Sequence, residues 1–374
     1  MISIDDYSSR FFEEPGYLDF ARVGPVGETV AAEGQAMTEL LRVSRFGSHA
    51  VFFEQDARVR EAVSALTGFA PHAVSYQPTT SQGAMHTMFG LTGTVAMAPS
   101  EFPSLTVAAV RAGEALHAVD VQWLTTDDGR ITPGTIKDQL TPATTAVAVS
   151  LVDFRTGYLV DLEGIRQVIG DRLLIVDAIQ GFGVVEAPYL AADVVFAGGQ
   201  KWIRSGWGTG FLAMSDRALE RLTPVISGFT GTDVEGMPLD EVPPPSATIG
   251  AYSVSNPDPI AQARFASALE EMHEVGVPQI RDAIIQRTGR IIDLADEFGI
   301  PVVSSRNVSE RAGIVVVQPD ADQLTVLVAS LHNHGVSVTT RGGAVRISAH
   351  ASTSEESLEM LRASFLGFAS AITV

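Results

Sequence analysis

Two short apolar runs, each ending in a polar side chain, constrain this chain more than any other feature of it. Leu173-Leu174-Ile175-Val176 runs directly into Asp177, and Val194-Val195-Phe196-Ala197 runs through Gly198 and Gly199 into Gln200 and Lys201. Continuous apolar runs of this length suit strands buried on both faces of a parallel sheet. In such sheets ligands sit beyond the carboxyl ends of the strands. The pattern therefore aims one carboxylate and one amine at a common crevice. Neither charge is cheap to bury alone. A ligand with a cationic ring atom and an electrophilic carbonyl would satisfy both.

The segments around these runs alternate. Strand signals at 94–99, 121–126 and 144–154 are interleaved with helical spacing at 103–116, 132–140 and 161–170, and TGFLAMS (209–215) reads as a return strand. Upstream, helices are expected at 27–43 and 54–68. The stretch between them, with Arg42, Arg45 and His49, reads as a solvated loop, with a pocket lining as the alternative. This alternation implies α/β layers with a mainly parallel sheet. EVPPPSATIG (241–250) is a proline-rich break. Beyond it come helical patterns at 259–275, 278–298, 321–334 and 353–370, and short strand patterns at 313–319, 336–340 and 344–350. The expected division is an N-terminal arm at 1–15 associated with the small domain, a large domain at 16–245 and a small α+β domain at 246–374.

Composition narrows the function. A formal net charge of −19 argues against binding nucleic acid or an anionic membrane through a general positive field, but leaves room for a local cationic pocket. MISIDDYSSRFF lacks the pattern of a secretory signal, and no apolar run approaches the roughly 20 residues of a membrane span. A cytoplasmic location and no membrane partner are the expectation. The absence of cysteine excludes disulfides, thiolate metal sites and a cysteine nucleophile. No metal site is expected.

Two further segments carry polar residues at informative places. In SYQPTTSQGAMHTMFGL (75–91) a hydroxyl-rich turn enters a helix near Gln82. Free N–H groups at a helix start favour a phosphate, and Thr or Ser hydroxyls add donors. Taken alone, the same residues read more readily as an ordinary N-cap on Thr80 or Ser81. In AVRISAH (344–350), strand alternation puts Arg346, Ser348 and His350 on one face. An Arg so placed can clamp a carboxylate, or simply face solvent on an edge strand. For His350 a structural role is the better expectation.

The order of these signals, a hydroxyl-rich helix start near 80, Asp177, Gln180, Lys201 and a late Arg346, resembles the aminotransferase class V family. These are pyridoxal phosphate (PLP) enzymes of fold type I that include cysteine desulfurases, kynureninases and isopenicillin N epimerase-like proteins. VDAIQGFG (176–183), GGQKWIRSGWGTGFL (198–212) and VRISAH (345–350) carry the likeness most specifically. The resemblance implies a large domain with a mainly parallel, seven-stranded-type sheet, a small C-terminal domain and a homodimer with active sites at the interface.

By position, Lys201 would hold the cofactor as an imine and shuttle protons, Asp177 would pair with the pyridinium nitrogen, and Gln180 would contact the phenolic oxygen. Phe102 would stack on the ring, and Thr80, Ser81 and Gln82 would hold the phosphate. Arg346 would bind the substrate α-carboxylate. SGFTG (227–231) resembles the loop whose Thr230 and Gly231 would reach the phosphate of the neighbouring subunit, and DFRTG (153–157) resembles a kynureninase segment. Gln200 stands beside the cofactor where the family often has His, and Gly198 and Gly199 replace residues that contact phosphate elsewhere. Without cysteine, persulfide-forming desulfurase chemistry has no nucleophile. Arg22, Arg45, His49, Arg155 and Trp207 are the further candidates for the substrate pocket. The implied activity is that of a PLP enzyme on an α-amino acid, by transamination or β-elimination including C–S lyase chemistry. Kynureninase-like hydrolysis and epimerisation are the alternatives, and a catalytically inactive regulator is the reading outside enzymology.

Overall fold

The structure is a computed structural model that describes residues 2–126, 129–234, 236 and 238–372. The apolar runs become strands because both of their faces find cover. The large sheet contains β1 (Val74–Tyr76), β2 (Gly93–Met97), β3 (Val119–Trp123), β4 (Thr144–Ser150), β5 (Leu173–Asp177), β6 (Val194–Gly198) and β7 (Gly210–Met214), in the order β1-β7-β6-β5-β4-β2-β3. Strand β7 is antiparallel to β1 and β6, and the remaining pairs are parallel. Val147, Val149, Leu174, Val176 and Val195 pack into one core, while Ala146, Ala148, Leu173, Ile175 and Val194 pack into another on the opposite face. Residues one apart on a strand point to opposite faces, so an unbroken apolar run is what a sheet covered on both sides needs.

Local signals set the helix starts. Thr79, Thr132, Asp161, Ser215 and Asp258 each cap a helix by accepting a backbone N–H, and Pro stands in the first turn of the helices at 103–116, 133–139 and 259–275. The loop expected at 42–54 contains a single helical turn, Ala50–Phe53, whose Phe52 is buried.

A second, antiparallel sheet is built from β8 (Ile314–Val317), β9 (Thr339–Arg341) and β10 (Ala344–Ser348), in the order β8-β10-β9. Its covering core includes Val315, Val345, Ile347, Leu361 and Phe365. The helix Pro259–Val275 follows the proline-rich break, yet it packs on the helices Gln55–Thr67 and Glu28–Arg42 beside the large sheet. The N-terminal segment crosses between the cores: Leu18 is buried in the small one, and Phe20 and Ala21 in the large one.

Candidate active site

Strands β5 and β6 lie side by side with Asp177 opposite Phe196. Asp177 thus ends β5 just where β6 continues through Gly198 toward Lys201. Asp177 is 1% exposed. Its Oδ1 accepts the Ile179 N–H at 3.1 Å, while Oδ2 is buried with no partner among the described residues. Burial pushes its pKa up to about 6, against the opposing pull of the Ile179 N–H and of Lys201. Lys201 is buried too. Burial pulls its ammonium down to about 8; Asp177 opposes this shift, and Arg346 and Arg341 add to it. Its Nζ lies 5.3 Å from the centre of the Phe102 ring.

Phe102 leads from Lys201 to the second sheet. Its ring meets Phe154 edge-on at 5.2 Å between centroids. The Phe154 carbonyl accepts from Arg346 Nη1 at 3.3 Å, and the Arg341 guanidinium lies 5.4 Å from the Phe154 ring. Arg346 makes only long contacts: 3.4 Å to Thr339 Oγ1 and 3.6 Å to Asp19 Oδ1, with Nε unpartnered among the described residues. Burial lowers its pKa, and Asp19 counters that effect. A cleft of about 460 Å³ opens here, lined by Phe154, Arg155, Arg341, Arg346, Val303 and Val316. Its guanidiniums form the local cationic pocket that the overall charge left room for.

The helix Thr80–Gly90 points its start at the same region. Its cap is Thr79, whose Oγ1 accepts the Gln82 N–H at 3.1 Å. That leaves Thr80 Oγ1 buried and unpartnered among the described residues, while Ser81 Oγ shares a hydrogen bond of 2.7 Å with Ser104 Oγ. Gly198 keeps this space open: a Cβ there would come within 2.8 Å of Thr80 Oγ1 and 2.4 Å of Gln200 Oε1. An orphaned carboxylate oxygen, a depressed lysine, an aromatic face and an unpartnered hydroxyl at a helix start match what PLP presents: a ring nitrogen, a carbonyl, a flat ring and a phosphate. The residues fit the cofactor.

Other expected site residues sit differently. The Gln180 amide donates to the Ala21 carbonyl at 3.0 Å and accepts from Trp202 Nε1 at 2.8 Å, so one amide hydrogen is left for the phenolic oxygen. His49, Gln82 and Thr230 line a separate cleft of about 640 Å³ that Tyr252 also faces. There Thr230 Oγ1 pairs with Ser253 Oγ at 2.7 Å, and the Gly231 N–H donates to the Gly228 carbonyl. Within one chain, therefore, His49 does not join Arg346. Arg45 is exposed, and the Trp207 side chain is 70% exposed. Arg22 is 73% exposed, 4.0 Å from Asp19. Arg155 lines the arginine cleft, as expected, and pairs with Asp153 at 3.3 Å.

Three residues escaped the sequence reading. Glu101 accepts the Ser150 N–H at 3.1 Å and the Ser150 hydroxyl, pinning the end of β4 opposite Asp177; burial first, then the nearby Asp153 and Asp177, push its pKa up to about 7, against the pull of the Ser150 bonds. Gly24 packs flat on the lysine's own backbone: its N–H donates to the Gln200 carbonyl at 2.9 Å, and any Cβ would collide with the Lys201 carbonyl oxygen. The Gly-Pro pair in RVGPVG marked only a turn. Arg341 is the third, at the end of a strand too short to show periodicity.

Just beyond Lys201, Arg204 adopts a positive φ of 59° and is fully buried. It pairs with Glu13, donates to Ser352 Oγ at 2.7 Å, meets His350 Nδ1 at 3.2 Å and lies 3.7 Å over Phe11. This knot ties the N-terminal arm to the lysine segment and accounts for His350, which burial keeps neutral.

The fold and the site together define a PLP-dependent enzyme of fold type I. Residues 77–372 match the aminotransferase class V family, and the chain belongs to that family. One curated relative, the probable hercynylcysteine sulfoxide lyase of Mycobacterium tuberculosis (strain CDC 1551 / Oshkosh), is 29% identical over 303 residues, covering 77% of this chain and 70% of the relative. Among solved structures, the apo cysteine desulfurase of Thermococcus onnurineus NA1 is similar with a TM-score of 0.82 at 19% identity, covering 93% of each chain. The cystine C–S lyase C-DES, in complex with its product cysteine persulfide, is similar with a TM-score of 0.84 at 17% identity over 94% of this chain and 97% of its own.

Proposed function

We propose that this protein is a PLP-dependent β-lyase that cleaves the Cβ–S bond of an S-substituted cysteine. The observation that carries the reading is the pairing of a buried, depressed Lys201 with the orphaned Oδ2 of Asp177 in a chain that has no cysteine. Sulfur then has to leave with the substrate's own fragment, because no protein thiol can accept it. The sulfoxide lyase relative supports the same class of reaction.

PLP supplies an electrophilic carbon for the substrate amine and a ring that accepts electrons from Cα. The chain's residues do the rest. Asp177 Oδ2 would pair with a protonated ring nitrogen, and Phe102 would cover a ring face. Thr80 and Ser81 would hold the phosphate, with Gly198 leaving room for it and Gln200 beside it. Arg346 trades its long internal contacts for the α-carboxylate with paired hydrogen bonds. That grip would fix the orientation of the substrate's Cα. Lys201, held near pH 8 by burial, removes the Cα proton as a neutral amine. The Cβ–S bonding pair leaves with sulfur, which takes up a proton. Water then converts the three-carbon remainder to pyruvate and ammonium, so R–S–cysteine plus water gives R–SH, pyruvate and ammonium with no net oxidation.

The test is product analysis. The PLP-loaded protein with an S-alkyl-cysteine should form pyruvate, ammonium and thiol in equal amounts. Amination of a 2-oxo acid without pyruvate release would replace this reading with transamination.

Three further proposals stand with it. The protein is a homodimer in which a second copy covers the exposed Leu41, Val43, Phe46 and Phe53. It works in the cytoplasm, in keeping with described helices none of which is long and apolar enough to cross a membrane. The chain divides into an N-terminal arm, a large domain and a small domain, with the boundary between the last two past the helix Pro259–Val275, in keeping with that helix packing on Gln55–Thr67.

A further inference from the structure

The cleft beside Arg346 holds more positive charge than one α-carboxylate needs. The chain is acidic overall, at −19. Yet Arg155, Arg341 and Arg346 share this one cleft of about 460 Å³. Among the described residues, Asp153 lies 3.3 Å from Arg155 and Asp19 lies 3.6 Å from Arg346, and no carboxylate pairs with Arg341. Arg341 rests instead against the Phe154 ring at 5.4 Å. That contact steadies the guanidinium and leaves its N–H donors unspent.

The sheet register sets the spacing. Thr339 on β9 pairs with Arg346 on β10, and Arg341 pairs with Ala344. Residues two apart on a strand share a face, so Arg341 and Arg346 rise from the same face roughly 6–7 Å apart along the strand. Both also depress the Lys201 ammonium, which places them in the field of the reacting amine. Val303, Val316 and Ala344 complete the wall with apolar surface suited to a short methylene chain.

We propose that this cleft is a second anion subsite, and that Arg341 reads a distal acidic group on the substrate. The substrate class is then an amino acid with a second acidic group a few carbons from its α-carboxylate. This rests on the reading that Arg346 takes the α-carboxylate. Arg155, already held by Asp153, borders the subsite.

The test uses unreactive acids of equal carbon number, pentanoate and glutarate, titrated into the PLP-loaded protein and followed by cofactor absorbance and by calorimetry. Glutarate should bind at least ~10-fold more tightly than pentanoate, the effect of one added charge-assisted pair. Arg341→Gln should bring that ratio to about one, Arg341→Lys should keep part of it, and Arg346→Gln should weaken both acids. Equal binding of the two acids by the unaltered protein, or a preference that survives Arg341→Gln, overturns the proposal. The unaltered protein decides the first point even if a variant fails to fold. Product analysis on S-alkyl-cysteines plays no part in this titration, so a failed lyase reading and a failed anion subsite are told apart.

Discussion

Two buried aspartates at opposite ends of two neighbouring strands show how one sheet separates stability from chemistry. Asp193 stands just before β6, at the amino end of the sheet. Its carboxylate accepts from Arg166 at 2.9 Å, from Arg217 at 2.6 and 3.0 Å, from Ser215 at 3.2 Å and from the Leu174 N–H at 2.8 Å. Every lone-pair direction is spoken for. Asp177 ends β5 at the carboxyl end of the sheet, and among the described residues holds one N–H on Oδ1 and nothing on Oδ2. A buried charge with full partners is a structural joint, and one with an empty side waits for a ligand. The loops after the strands leave Asp177 open, while the helices that return the chain bring Arg166 and Arg217 to Asp193.

This contrast can be broken experimentally. Lys201→Ala should abolish the visible absorbance of bound cofactor and lower turnover by at least ~10³-fold, measured by spectroscopy and steady-state kinetics. Next in size, Asp177→Asn should reduce turnover by about 10²–10³-fold without lowering the melting temperature of the cofactor-free protein, since it removes a charge that lacks partners. Asp193→Asn should do the reverse: chemical denaturation should show a loss of about 3 kcal/mol, because Arg166 loses its counter-charge and Arg217 keeps only Asp171, with cofactor loading retained in the folded fraction. If Asp193→Asn cost no stability, the two ends would not differ as claimed.

The pH dependence sharpens the comparison. Lys201 titrates near 8 in the folded chain rather than 10.5, so its neutral form appears at lower pH than in a free lysine. The rate of PLP loading should therefore rise about tenfold per unit below pH 8 and level off above it, as stopped-flow absorbance would show. By linkage, Asp177 binds its proton more tightly in the folded cofactor-free chain, near 6 against 3.8. Its contribution to stability is present below about 3.8 and lost as pH rises through 6, a slope that Asp177→Asn should remove.

Smaller effects come last. Gly198→Ala should weaken PLP binding roughly tenfold by narrowing the space beside Thr80, measured by equilibrium loading. Arg22→Ala, at an exposed residue, should change stability by less than about 0.5 kcal/mol in the same denaturation assay.

The elements of the fold were legible because each announces itself locally: apolar runs, caps such as Thr132 and Asp161, and prolines at 103, 133 and 259. Asp177 and Lys201 were legible because a strand end dictates where each points, whereas Phe102 was named only through the family resemblance. The arginines were legible only in part. Arg155 and Arg346 line the cleft, but long side chains reach wherever the packed sheets allow, so Arg22 and Arg45 were singled out although they lie away from it and Arg341, which borders it, was not. The cap also differed by one residue: Thr79 takes the helix N–H, which frees Thr80. Glu101 and Gly24 carried no local pattern at all, since their roles exist only against Ser150 and the Lys201 backbone.

Sequence alone determined that an acid and an amine would emerge at the ends of two neighbouring buried strands. Alternation and burial decide this within a few residues. Only the tertiary structure decided what surrounds them: which carboxylate oxygen goes unpartnered, which hydroxyl is left free, and which arginines share the cleft. Those outcomes depend on contacts such as Asp19 with Arg346 and Glu13 with Arg204, between residues far apart in the chain. No local periodicity encodes a meeting of that kind, because it is settled by how the two sheets and the N-terminal arm pack together.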